Sequence, residues 1–264
     1  MPKKSRFSTI QVEKEGVLLW ITFNRPGRMN AFNLDMVGEL NTVIEEVDAD
    51  DEVRCVLVKG EGERAFSVGA DLTMFTGLDS ERAIATSEKG QRLMDRIEAS
   101  PKPFVAAIHG FCLGGGLEFA LACDFRVVAE SAQMGSPEIN LGIIPGWGGT
   151  QRLCRFVGLP KAKELVFLGD RVSAKEALEI GLAHKVVPPD KLYEEAEALA
   201  HRLAEGPPVA LKVAKRAMNE GSQLTLAEGL KMEAKSFGTL AATEDIVEGI
   251  SAFFEKRKPE FKGK

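Results

Sequence analysis

The stretch FCLGGGLEFALACD, residues 111–124, sets three consecutive glycines in an apolar run and follows them with one carboxylate, Glu118. Glycine in a helix interior costs about 1 kcal/mol relative to alanine, so a run of three needs a reason. Without a Cβ the backbone can approach a ligand closely, and the first N–H groups of a helix point outward unpaired. Such a terminus favours developing negative charge, so an oxyanion could sit there with Glu118 beside it in the first turn. The same glycines would also permit tight helix–strand packing, with Glu118 an ordinary first-turn acid. This stretch alone leaves both readings open.

Two further stretches share that ambiguity. GSPEINLGIIPGWGGTQRL (135–153) places Glu138 after Pro137 and ahead of an apolar loop punctuated by glycines. It reads either as a second working carboxylate or as a surface helix start with proline at its first position. AFSVGADL (65–72) flanks Gly69 and Ala70 with small residues, so a backbone N–H could be offered to a ligand, or the segment could be a plain tight turn. The three histidines, His109, His184 and His201, are too scattered to suggest a metal cluster, and His109 ends a strand where a structural role is expected.

These residues must be positioned by the elements around them. VLLWITFNRP (17–26) is β-rich and stops at Pro26, and residues 34–50 carry Leu34, Met36, Val37, Leu40, Val43, Ile44 and Val47 at helical spacing. VRCVLVKG (53–60) reads as a strand, residues 62–75 as a loop, 81–100 as an amphipathic helix ended by Pro101, PFVAAIHG (103–110) as a strand, 115–123 as a helix and FRVVAE (125–130) as a strand. That alternation implies an α/β architecture with buried strands, and no internal sequence repeat is evident. Beyond residue 150 the chain reads as mostly helical. Ser173 with Glu176 and Thr225 with Glu228 look like capping boxes, Gly181 is a stop, and residues 243–261 form a helix acidic in its first turn and basic in its last. These faces are apolar enough to dock on the core or on another subunit.

Composition bounds the rest. The 264 residues allow one large domain or a domain with an appendage, and 44% hydrophobic residues suffice for a sizeable core. A net charge of −5 argues against nucleic acid as the main partner, though a few local donors would serve a phosphate-bearing small molecule. Cys55, Cys112, Cys123 and Cys154 form no CxxC pair and sit among apolar residues, which suggests reduced thiols in a cytoplasmic protein. No run of 18 apolar residues occurs, so no membrane span is expected. The opening MPKKSRFST is basic but short, and no cleaved targeting peptide is expected there.

Taken together, NRPGRMNAF, AFSVGADL, HGFCLGGGLEFALACD, SPEINLGIIPGWGGTQRL and GDRVSAKEALEIGLAHKVVP resemble the enoyl-CoA hydratase/isomerase, or crotonase, family, and the resemblance runs from about residue 8 to the C-terminus. It implies a spiral of ββα units over about residues 1–200 and a C-terminal helical oligomerisation region over 201–264, assembled as a homotrimer or a dimer of trimers. The implied substrate is an acyl-CoA thioester, with no cofactor beyond the coenzyme A that is part of it. Two N–H groups, of Ala70 and Gly115, would form an oxyanion hole for the thioester oxygen. Glu118 and Glu138 match the two glutamates of the hydratases, with Glu118 as base toward the water attacking Cβ and Glu138 as the proton source for Cα in a syn-type addition. Gly146 matches the position whose N–H helps hold that water. Arg28, Met29 and Ala31, with Ala70, Asp71, Leu72 and Thr73, match positions lining the coenzyme A site, and Arg28 is the candidate phosphate contact. Phe253 and Lys256 match positions that reach the coenzyme A of a neighbouring subunit.

The chain departs from the family pattern at two places. Ser136 stands before Pro137 where some hydratases carry a longer polar side chain. Trp147 stands where smaller residues also occur, and its ring would shorten the acyl pocket toward crotonyl-CoA, or toward acryloyl-CoA and its hydrated form 3-hydroxypropionyl-CoA, whose dehydration is an alternative direction. Δ3,Δ2-enoyl-CoA isomerisation can run on the Glu138-type residue alone, and the presence of Glu118 favours hydration. A relative binds RNA through a lysine-rich helix, but residues 81–99 here hold one lysine, Lys89, and three arginines balanced by acids.

Overall fold

A computed structural model describes residues 6–77 and 79–264; the expectation about a targeting peptide falls partly on residues 1–5, outside them. Strands β1 (Ile10–Glu15) and β2 (Leu18–Phe23) form an antiparallel hairpin, turned at Gly16, and α1 (Leu34–Ala49) follows. Three similar units succeed it. The first comprises β3 (Cys55–Gly60), β4 (Ala65–Ser67) and α2 (Ser80–Ala99); the second β5 (Phe104–Ile108), β6 (Phe111–Leu113) and α3 (Gly115–Ala122); the third β7 (Phe125–Ala129), β8 (Gln133–Gly135) and α4 (Gly149–Leu168). Then come β9 (Arg171–Ser173), α5 (Ala174–Glu179), β10 (Lys185–Val187) and α6 (Leu192–Ala204), and last α7 (Pro208–Gly221), α8 (Leu226–Leu240) and α9 (Glu244–Glu255).

Each of the three units puts its first strand into a six-stranded sheet, ordered β1-β2-β3-β5-β7-β10, and its second into a four-stranded sheet, ordered β4-β6-β8-β9. Every neighbour pair is parallel except β1–β2 and β8–β9. This is the α/β spiral of ββα units, carried by structure without an internal sequence repeat. The large sheet is covered on both faces, so β2 and β5 are buried throughout and read as continuous apolar runs. Helices α1, α2 and α3 pack on one face, and α6 lays Ala196, Ala200 and Ala204 against Leu18, Leu57 and Val105 on the other. Helix α6 thus runs through the boundary drawn at residue 200, and the helices after it bury only Asp245 and Ala252.

Some expectations needed correction. The loop read over 62–75 contains β4 and a 3-10 turn, Leu72–Phe75; β1, β6, β8 and β9 were also not read as separate strands. Ser173 does cap α5, accepting from the Glu176 N–H, but the reciprocal arm is missing because the Glu176 carboxylate pairs with Lys161 at 2.7 Å. The Thr225–Glu228 box is complete. Helix α9 is acidic in its first turn, yet it ends at Glu255, so the basic residues expected in its last turn lie beyond it. Lys256 takes the left-handed conformation at the cap and Arg257 turns back to Glu248 at 2.6 Å. Cys55, Cys112 and Cys123 are buried, Cys154 is half-buried, and all four are free thiols.

Candidate active site

The GGG run begins α3, and each end of this short helix is fixed. A Cβ on Gly116 would stand 2.5 Å from the Ser67 carbonyl oxygen, so only glycine lets α3 sit this close to β4. At the other end Arg126, fully buried, donates from Nη1 to the carbonyls of Ala120 and Cys123 at 3.0 and 2.8 Å, placing a cation on the helix C-terminus. All eight residues of α3 are buried, Glu118 among them.

The segment 69–71 runs beside Phe32 as a single strand-like bridge. Phe32 N–H donates to the Gly69 carbonyl and Asp71 N–H to the Phe32 carbonyl, both at 2.8 Å. Extended backbone alternates, so the intervening Ala70 N–H faces the other way, toward α3. A Cβ on Gly69, whose φ is +95°, would lie 2.7 Å from the Gly115 nitrogen, and one on Gly115 would lie 3.3 Å from the Ala70 nitrogen. The two N–H groups are thus brought side by side, and neither has an acceptor among the described residues. Two free donors at a helix N-terminus form a receptacle for an oxyanion.

Glu118 lies one turn along the helix that carries this receptacle, and Glu138 stands beside that helix's N-cap, Gly114. Glu118 Oε1 accepts from the N–H groups of Trp147 and Gly149, each at 2.7 Å. Burial, then the neighbouring Glu138 charge, pushes its carboxyl up to about 7, against the pull of those two N–H groups and of Arg152. Glu138, in the 3-10 turn Pro137–Leu141, brings Oε1 to 3.2 Å from where a Gly114 Cβ would be. Burial raises it too, opposed by its own backbone N–H and then by the neighbouring Ser136 hydroxyl, though among the described residues neither its oxygens nor Ser136 Oγ has a hydrogen-bond partner of acceptable geometry. A buried carboxyl with both oxygens unmet is costly unless a ligand or water completes it. The arrangement can exchange protons near neutral pH at one end and stabilise an anion at the other.

A model of the enoyl-CoA hydratase/isomerase family matches residues 13–264. The chain belongs to that family. It is 41% identical over 253 residues, 96% of this chain and 97% of the other, to a short-chain-enoyl-CoA hydratase of Clostridium acetobutylicum. It is 42% identical over 255 residues, covering 97% and 98%, to a crotonyl-CoA hydratase of Syntrophomonas wolfei. A crystal structure of an enoyl-CoA hydratase from Bacillus anthracis superposes with a TM-score of 0.93 at 41% identity, covering 97% of this chain and all of that one.

Other family positions scatter more widely. Trp147 is buried in the core, edge-on to Phe32 at 5.7 Å, and Gly90 of α2 and Gly115 leave room for its ring. The Gly146 carbonyl accepts from Ser87 Oγ at 2.5 Å and Gln91 Nε2 at 3.0 Å, which ties the loop to α2. Asp71 is engaged with Arg25 at 3.0 Å and with Thr73 Oγ1 at 2.8 Å, so its side chain braces the Ala70 segment. Leu72 and Thr73 are exposed beyond Ala70, Arg28 is exposed, Met29 is half-buried in the left-handed region, and Ala31 is buried. Phe253 and Lys256 stand exposed at the end of α9. Asn30, Ser67 and Arg152 were missed from sequence. Asn30, also left-handed, is fully buried and donates to the Glu61 and Ala65 carbonyls, while Ser67 Oγ donates to the Asn30 carbonyl and accepts from Gly69 N–H. An asparagine tolerates that conformation, which was the available signal. Among the described residues no cluster of three or more His, Cys, Asp or Glu side chains could hold a metal ion, and no helix is long and apolar enough to cross a membrane.

Proposed function

We propose that this chain is an enoyl-CoA hydratase, a hydro-lyase that adds water reversibly, in a syn-type addition, across the 2,3 double bond of a short-chain 2-enoyl-CoA. The thioester oxygen accepts from the Ala70 and Gly115 N–H groups. A water lies between Glu118 and Glu138, close to the Gly146 N–H. Glu118 takes one proton as the water oxygen bonds to Cβ, and the π electrons move through Cα to the thioester oxygen as an enolate. Glu138 gives a proton to Cα as the enolate collapses, and a proton then passes from Glu118 to Glu138 to restore the starting state. Dehydration of a 3-hydroxyacyl-CoA runs the same steps backward. No cofactor is needed.

The observation that carries this reading is a pair of buried carboxyls, one held by two N–H groups and one whose oxygens have no hydrogen-bond partner of acceptable geometry among the described residues, beside two free N–H donors. The Trp147 ring against Gly115 limits the acyl tail, which favours crotonyl or acryloyl groups and, in reverse, 3-hydroxypropionyl-CoA. Arg28, Met29, Ala31, Asp71, Leu72 and Thr73 edge the coenzyme A path. Phe253 and Lys256 complete it from a neighbouring subunit, in a trimer or dimer of trimers joined through the region 201–264, whose Leu226, Phe237, Phe253 and Phe254 are each more than 70% exposed in the single chain. Free thiols suit a cytoplasmic setting. Arg82, Arg92 and Arg96 of α2 are each paired with a carboxylate, which speaks against a nucleic-acid partner.

The test offers the enzyme crotonyl-CoA and, separately, 3-hexenoyl-CoA, following thioester absorbance and product mass. Loss of absorbance with a gain of one water from crotonyl-CoA supports hydration. Inert crotonyl-CoA with conversion of 3-hexenoyl-CoA to its 2-enoyl isomer overturns hydration in favour of isomerisation.

A further inference from the structure

Behind the loop that serves Glu118 stands a cation with no part in the reaction just described. Arg152, in the first turns of α4, is buried. Its Nε and Nη2 hold the two oxygens of Glu98 at 2.9 and 2.8 Å, Nη2 also reaches Asp95 at 2.7 Å, and Nη1 donates to the Trp147 carbonyl at 3.1 Å. Trp147 is therefore gripped at both ends, its N–H by Glu118 and its carbonyl by Arg152. Gly148, between the two donors to Glu118, has φ +109°, and a Cβ there would stand 2.1 Å from Arg152 Nη1. The guanidinium fills the space a side chain at 148 would need. The N–H groups of Gln151 and Arg152 both return to the Gly148 carbonyl, at 3.0 and 2.8 Å.

We propose that Arg152 is a positioning residue: it fixes the Trp147 and Gly149 N–H groups on Glu118 and keeps that carboxylate in its proton-accepting form. This rests on the reading of Glu118 as the base. The groups facing Glu118 are few. Glu138 comes from the 3-10 turn after β8 and Arg152 from α4; α2 contributes Asp95 and Glu98, which bind Arg152 and weaken its field; β4 and β6 bring no carboxylate or cation. Glu138 and Arg152 act in opposite directions on Glu118. Two kinds of substitution then leave opposite signatures. Removing the cation favours the protonated acid, whereas removing Asp95, whose side chain is largely exposed, leaves Arg152 less neutralised and favours the carboxylate.

The experiment is an infrared titration of the Glu118 carboxyl band, assigned by its loss in Glu118→Gln, run beside crotonyl-CoA kinetics. Arg152→Met is expected to raise the titration midpoint by about one pH unit and to lower kcat roughly tenfold or more while KM moves little. Arg152→Lys restores the midpoint but not kcat, because one ammonium cannot hold the planar fork of contacts. Asp95→Asn moves the midpoint downward. A folded Arg152→Met with the wild-type midpoint overturns the proposal. If that variant does not fold, an unmoved midpoint in Asp95→Asn overturns it. Should wild type leave crotonyl-CoA untouched, the reaction reading fails while the titration still decides the role of Arg152.

Discussion

Helix α3 buries all eight of its residues, including its single carboxylate, whereas α8 buries none and α9 only Asp245 and Ala252. The first is fixed by glycines that admit β4 and the Trp147 ring, and by a buried arginine on its C-terminus. The last two turn Phe237, Phe253 and Phe254 outward. Covering an aromatic or aliphatic side chain of this size is worth about 1.5–3 kcal/mol, so these faces call for a partner surface. The groups proposed to move protons and hold an oxyanion lie within one chain, whereas the C-terminal helices leave their apolar faces uncovered in it. Damage to the first region should cost rate, and damage to the second should cost assembly.

The sharpest breaks in that contrast lie at the carboxylates. Glu118→Gln and Glu138→Gln should each lower crotonyl-CoA hydration by about 10²–10⁴ with the sedimentation profile unchanged. Gly115→Ala comes next. Its Cβ would stand 3.0 Å from the Trp147 ring, which packs so closely on Gly90 of α2 that a Cβ there would lie 2.1 Å from it, so the ring has no room to retreat that way. A displaced oxyanion donor should lower kcat by about 10²–10³, read in the same assay.

The pH dependence divides rate from stability. Below about 7 Glu118 is protonated, so kcat/KM for hydration should climb with pH through that value and fall again once Glu138 loses the proton it donates to Cα. Stability runs the other way. The folded protein raises the Glu118 pKa, so this group stabilises the fold below the ordinary carboxylate range and loses that contribution as pH rises through about 7. Glu118→Gln should therefore resist urea better than wild type at pH 8.5, by about 1–3 kcal/mol, and match it at pH 5. The smallest effect on rate belongs to the other region. Phe237→Asp should shift sedimentation to lower mass while activity per chain falls far less than in Glu118→Gln.

What the sequence revealed follows from the length of each signal. Helices α1 and α2 were legible because apolar residues recur at helical spacing over 16 and 20 residues. Strands β4, β6, β8 and β9 span three residues each, too few for any period to register. Glu118, Glu138, Ala70 and Gly115 stood out through GGGLE, SPE and GAD, but each stretch alone left a packing role open, and the roles proposed for them came from the resemblance of all the motifs together. Asn30, Ser67 and Arg152 did not stand out, because they act through carbonyls and carboxylates supplied by distant segments, as when Arg152 reaches Glu98 and Asp95 on α2. The end of α9 was misread for the opposite reason. Its apolar pattern continues to Phe254, but Lys256 turns left-handed, Arg257 folds back to Glu248 and Lys258 pairs with Glu205.

In the proposed reaction two buried carboxyls share one hydration without being needed to hold the substrate. The direct test measures crotonyl-CoA turnover by wild type, Glu118→Gln and Glu138→Gln, alongside calorimetric binding of unreactive butyryl-CoA to each. Turnover lost by about 10² or more in both variants, with butyryl-CoA still bound, is the predicted result. Either variant retaining wild-type turnover would contradict it.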